Sequence, residues 1–206
     1  MIVSKTIFKN AVSIALCLTG LSSAYAQVSS NPWMVRARAV ELNWANTQNN
    51  GLDTTNVTAK NLAIPEADVS YFFTKNIATE LVLTYPQQVT MNVGGSNSGN
   101  LKALPPSLLA QYHFTDFGPF KPYVGLGLNY TSFTSVNVAG GAASVKSNSV
   151  GGAAQLGLDY MLDKNWGVNF DLKYIQIKTD VYVSSAYKGQ LALNPTAAAV
   201  GVTYRF

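Results

Sequence analysis

From residue 33 to the C-terminus the chain is written in alternation, one apolar position followed by one polar or small one. Eight segments keep this period of two, at residues 33–42, 68–74, 78–85, 107–114, 122–133, 150–161, 167–177 and 197–206. Successive strand residues point to opposite faces of a sheet, so such segments read as two-faced strands. One face collects Val69, Tyr71, Phe73, Leu81, Leu83, Tyr85, Leu126, Leu128, Leu156, Leu158, Phe170, Leu172, Val200 and Val202, and carries no charge. The other face collects Asp68, Glu80, Gln111, His113, Asn129, Gln155, Asp159, Asn169, Asp171, Lys173 and Arg205, joined from the first segment by Arg36 and Arg38. The last eight residues, AVGVTYRF, alternate to the final phenylalanine, as expected of a strand that closes a barrel against the first.

A lipocalin-type soluble barrel would show the same alternation with its apolar face inward. The aromatics separate the two cases. They gather at strand ends, Trp33, Phe73, Phe114, Tyr160, Trp166 and Phe206 toward one rim and Tyr85, Tyr130 and Tyr174 toward the other. Two aromatic belts around an aliphatic band match a membrane cross-section, and strands near ten residues match a tilted crossing. Loop lengths set the orientation. The connections at residues 74–76, 115–121 and 162–165 are short, whereas 43–66, 86–106 and the other two are long and rich in Gly, Ser, Asn and Thr. Short turns face the periplasm in such barrels. The predicted fold is therefore all-β, an eight-stranded antiparallel transmembrane β-barrel with short periplasmic turns and long extracellular loops. It forms one domain over residues 27–206, placed in the bacterial outer membrane.

Charge and composition agree. Only 12% of residues are charged, against about 25% in ordinary globular proteins, yet no long apolar run accounts for it. Residues 1–26 read as a cleaved signal peptide, with Lys5 and Lys9, an apolar run to Leu18, and Ala24-Tyr25-Ala26 before Gln27. Leu16 stands where a lipoprotein signal would want a small residue before Cys17. Setting aside the two signal lysines leaves twelve basic against ten acidic residues. A net of +2 gives no reason to expect a nucleic-acid partner.

The blocks DVSYFFTKNIATELVLTYP (68–86), LPPSLLAQYHF (104–114), KPYVGLGLNYTSF (121–133), GLDYMLDKNWGVNFDLKY (157–174) and the terminal TYRF resemble the outer-membrane protein W family of Gram-negative bacteria. The resemblance runs in order from the second strand to the C-terminus. It implies an eight-stranded barrel whose extracellular half holds a narrow hydrophobic channel. It also implies passage of small hydrophobic compounds, as in alkane-uptake relatives, with release sideways through the barrel wall.

An eight-stranded barrel is only wide enough for its own side chains to fill. Arg36, Arg38, Lys173 and Arg205 against Asp68, Glu80, Asp159 and Asp171 predict a packed ionic interior that argues against a general porin. The extracellular half reads as a channel lining of Val82, Leu109, Tyr123, Gly125 and Gly127, with Gly151 and Gly157 leaving further space and Lys173 as a polarising cation. Pro86, Pro105 and Pro106 sit at extracellular strand ends. Proline cannot donate to a ladder, which makes these three the candidate lateral exit, while Pro195 marks another strand end.

No catalytic residues, metal ligands or cofactors are expected. His113 is the only histidine and reads as a hydrogen-bonded interior residue, and Glu41, Asp53, Glu66 and Asp180 scatter over the extracellular rim. The leading expectation is a passive, non-enzymatic channel, monomeric, with outer-membrane lipids, lipopolysaccharide and small hydrophobic solutes as partners. The alternative is an envelope anchor that acts through its loops as a receptor or adhesin.

Overall fold

The computed structural model describes residues 31–49 and 56–206; the predicted signal peptide and Asp53 lie outside them. Fifteen strands are present among the described residues. The first five are β1 (Trp33–Asn43), β2 (Thr47–Asn49), β3 (Val57–Ala59), β4 (Leu62–Phe72) and β5 (Ile77–Leu83). Next come β6 (Gln87–Val93), β7 (Ser96–Leu104), β8 (Ser107–His113), β9 (Phe120–Val138) and β10 (Ala143–Val145). The chain ends with β11 (Asn148–Met161), β12 (Trp166–Ile175), β13 (Lys178–Val183), β14 (Ala186–Ala192) and β15 (Thr196–Arg205).

Eight of them close a ring of antiparallel neighbours, β1-β4-β5-β8-β9-β11-β12-β15 and back to β1. The C-terminal strand completes it, with its register against β1 running from Met34↔Arg205 to Asn43↔Thr196. Closure removes the unpaired edges that an open sheet would expose to lipid. Alternation sets the faces. Leu126, Leu128, Val150 and Phe170 stand exposed on the outside, while Arg36, Asp68, Glu80, Asp159 and Asn169 are buried inside.

Both aromatic belts are present. At the turn end, edge-to-face pairs run around the wall: Trp33 with Tyr71 at 4.9 Å, Tyr112 with Phe114 at 5.0 Å, and Trp166 with Tyr204 at 4.8 Å. At the loop end Tyr85, Tyr130 and Tyr174 are exposed. The exterior is that of a membrane-spanning barrel, with its short turns on the periplasmic side.

The long connections are more ordered than the sequence suggests. They fold into a second tier of strands above the barrel, in the order β3-β6-β7-β9-β10-β13-β14-β2. Strand β9 serves both tiers, pairing with β8 and β11 below and with β7 and β10 above. Gly94 and Gly95 are the two central residues of the β6–β7 hairpin, at φ +60° and +82°. Two positive φ values in a two-residue turn match the right-handed twist of the flanking strands. Strand β4 begins at Leu62, earlier than its sequence pattern indicates, because Pro65 and Glu66 break the reading of alternation there.

Candidate functional site

The barrel interior divides by height. Its lower and middle part is a continuous ionic and hydrogen-bonded network. The Arg36 guanidinium donates to Asp159 through Nε (3.0 Å) and Nη2 (2.7 Å), and through Nη1 to Glu80 (2.8 Å), Ser70 (3.1 Å) and Asp68 (3.2 Å). Arg38, two residues on and facing the same way, binds Asp68 and Glu80 and lies 3.2 Å from Asp171. The amides of Gln111 and Gln155 donate to Glu80, and Gln155 also donates to Asp171 at 2.8 Å. Six strands therefore hold one cluster in which each carboxylate is met by a cation or an amide. That satisfies the condition under which charge can be buried at all.

Aromatic rings fill what the charges leave. Tyr123 is fully buried; its hydroxyl donates to Asp171 at 2.8 Å and accepts from Asn169 at 3.0 Å. His113 stacks on Tyr123 at 4.9 Å and meets Phe72 at 4.8 Å, with Nε2 3.0 Å from the Gln111 amide oxygen. It is the hydrogen-bonded interior residue expected. The Arg36 guanidinium lies 4.9 Å from the Tyr123 ring, within cation–π range.

Above this network the interior turns apolar. Val40, Leu42, Ile64, Val82, Leu109, Ala153 and Ile175 form one buried cluster that continues into the upper tier through Val89, Leu101, Phe133 and Leu191. Lys173 and Glu66 sit at the boundary, with Nζ 3.2 Å from the carboxylate, and Asp171 lies 3.9 Å from the same cation. The sequence groups Glu66 with the scattered rim acids. It points inward instead, because β4 extends beneath it.

The sequence-selected residues distribute over both regions. Val82 and Leu109 belong to the apolar cluster. Tyr123 lies lower, in the ionic network, since β9 starts only three residues before it. Gly125 is covered by Gln155 and Gln111, and Gly127 lies against the backbone of Leu108 and Leu109. The space these glycines leave is thus taken up by neighbours, and the Tyr123 ring likewise covers Gly157.

Pro86 faces Pro105 and Pro106 across one break in the ladder. Pairing between β5 and β8 stops at Val82↔Ser107 and resumes between β6 and β7 at Gln87↔Ala103. The far side of Pro105 and Pro106 is stitched to β9, whose Asn129 side chain donates to both carbonyls and whose Tyr130 N–H donates to Pro106. A second, longer break lies on the other side of Pro86. Pairing of β4 with β5 ends at Ala67↔Leu83, and backbone contact resumes where the Lys60 N–H donates to the Thr90 carbonyl at 3.0 Å, beside Ala59↔Met91 of β3 and β6. Pro65, a residue not singled out from sequence, stands in that interval on β4. Across it at this level the Thr84 hydroxyl donates to the Pro65 carbonyl at 3.1 Å. Among the described residues, Thr84, Tyr85 and Pro86 enter no backbone ladder on either side.

Comparison with known proteins is consistent with this architecture. The OmpW family model matches residues 28–206. This chain belongs to the OmpW family. An uncharacterized outer-membrane protein of Sinorhizobium fredii is 41% identical over 184 residues, covering 85% of this chain and 80% of that protein. Outer membrane protein W of Vibrio cholerae is 32% identical over 154 residues, covering 67% and 71%. Among solved structures, the outer membrane protein OprG of Pseudomonas aeruginosa superposes with a TM-score of 0.74 at 25% identity, covering 85% of this chain and 96% of that one. The OmpW-family fold and the outer-membrane location follow.

Proposed function

We propose that this OmpW-family barrel is a passive, non-enzymatic conduit for small hydrophobic molecules, which enter its apolar extracellular half and leave sideways into the bilayer. The observation that carries this reading is the division of the interior. A solute moving inward meets Leu109, Val82 and Ile64, which it can displace without exposing polar groups. It then meets the Arg36–Arg38 network, where passage would require separating buried ion pairs at several kcal/mol each. The way out is through the wall. The break between β4 and Thr84–Pro86 is bordered by Pro65 and Pro86, lies beside the apolar cluster, and lacks ladder bonds that would have to open. The Pro105–Pro106 break is shorter and held by Asn129 and Tyr130, so it ranks second. Above the upper tyrosines, exposed Lys102, Lys146 and Lys178 suit the anionic headgroups of lipopolysaccharide. A closed barrel also has no ladder edge that demands a partner chain, so we take the protein to be a monomer.

The test is uptake of a medium-chain alkane by cells lacking the protein and by cells with it restored, with a small hydrophilic solute alongside. Faster entry of the alkane alone is expected. Equal entry of both solutes with and without the protein contradicts the reading. A role through the loops is favoured by one observation, the exposed Tyr187 ring 5.9 Å from Tyr182 at the β13–β14 tip. Exchanging that hairpin abolishes a receptor function and leaves alkane uptake intact.

A further inference from the structure

We propose that the periplasmic mouth of the barrel is a binding site for a small amphiphilic carboxylate. Below the ionic network the interior opens into a cavity of about 340 Å³, separate from the extracellular apolar cluster and independent of the conduit reading. Its lining combines two chemistries. Met34, Phe72, Pro119 and Met161 give an apolar wall, and Lys121, Lys164 and Arg205 bring three cations to the same space.

The charges are not mutually satisfied. Of the two lining acids, Asp159 accepts from Arg36, Asn169 and Thr203. Asp163 accepts the backbone N–H groups of Asn165 and Trp166, both at 2.7 Å. Both carboxylates are thus already engaged. The cations are not. Lys121 donates to the Thr115 carbonyl at 2.6 Å and keeps two further donors. Lys164 is exposed in the turn. Arg205 is half-buried with its guanidinium 4.4 Å from the Phe72 ring; it feels the Asp159 charge, but among the described residues no hydrogen bond or ion pair within 4 Å holds its side chain. A guanidinium held over an aromatic ring, with no protein acceptor on its donors, is available to a planar bidentate acceptor. Surplus donors over an apolar wall specify an anion with a hydrocarbon body, and a carboxylate matches the fork geometry of Arg205.

The chain carries its own reporters. Beyond Met1 it has three methionines: Met34 and Met161 line the cavity, and Met91 is buried in the extracellular half. With 13C-methyl methionine in lipid nanodiscs, octanoate is expected to shift the Met34 and Met161 methyl signals saturably and to leave Met91 in place. Octanol, equal in chain length and uncharged, is expected to bind at least about tenfold more weakly, and Arg205→Gln to weaken octanoate by a similar factor, as for loss of one charge-assisted hydrogen bond. Lys164→Gln, in an exposed turn, provides a second variant with a smaller loss should Arg205→Gln fail to fold. Equal response to octanol, an equal shift at Met91, or no saturable shift at all overturns the proposal.

Discussion

The periplasmic half of the barrel interior is held by Arg36, Arg38 and the carboxylates around them, and the extracellular half by Leu109, Val82, Ile64 and their apolar neighbours. Both halves are closed, by opposite means. In the lower half each group is fixed by directional bonds to several strands, so moving one side chain leaves others unpaired. In the upper half contacts are non-directional, and a hydrocarbon solute can stand in for a displaced leucine at little cost. The wall follows the same division. The ladder is continuous beside the ionic network and breaks beside the apolar cluster, at Thr84–Pro86. On the proposed reading, a barrel of this width needs no open pore to pass apolar molecules. It needs one region that yields and one that does not.

The largest effect should come from the lower half. Arg36→Met leaves Asp68, Glu80 and Asp159 short of their shared cation and should cost about 3–5 kcal/mol, read from urea unfolding in lipid vesicles. A loss under about 1 kcal/mol would break the comparison, since the network would then not be what closes that half. In the upper half, Leu109→Ala should cost about 2–4 kcal/mol for the cavity it leaves. It should leave alkane uptake intact or faster, whereas slower uptake would mean that Leu109 guides the solute rather than blocking it.

The boundary pair sharpens the division. Lys173→Met leaves Glu66 with Arg38, 3.4 Å away, as its remaining cation and should cost about 2 kcal/mol, and adding Glu66→Gln should return part of it. Additive losses in that double-mutant cycle would show that the two side chains do not act as a pair. The smallest effect lies outside the membrane. Backbone N–H groups of Trp166 and Asn165 hold the Asp163 carboxyl below its ordinary value. Its stabilisation of the turn is therefore present above the ordinary carboxylate range and lost as pH falls through the lowered value. Asp163→Ala should be slightly less stable than the parent at neutral pH, and the difference should vanish in acid.

Much of this was legible in the chain because alternation is a local signal. The eight barrel strands, both aromatic belts and the inward set from Asp68 to Lys173 follow from counting by twos. Heights and partners are not local. Tyr123 reads as channel lining because it alternates inward, but only the register of β9 against β11, Tyr123↔Gly157, shows its ring filling the space of a glycine in the ionic network. From sequence Glu66 falls on the rim and Pro65 goes unmarked, because the alternation signals β4 only from Asp68 whereas the strand begins at Leu62. Their inward and outward placement emerges only when Arg38↔Glu66 and Ala39↔Pro65 are paired with β1. The upper tier reads as loops in the sequence because Gly, Ser and Asn mask its alternation. Val89, Met91, Leu101 and Ala103, all buried, carried the missed signal.

The central claim is that apolar solutes leave through the wall beside Pro65 and Pro86. Continuing the register Ala67↔Leu83 places Pro65 opposite Tyr85, and residues 27–206 contain no cysteine. A Pro65→Cys, Tyr85→Cys variant can therefore be locked and released by oxidation and reduction on a clean background. The measurement is alkane uptake by cells carrying this variant in both states. Uptake lost on oxidation and regained on reduction is the predicted result. Equal uptake in both states, with the disulfide shown to have formed, would contradict the account.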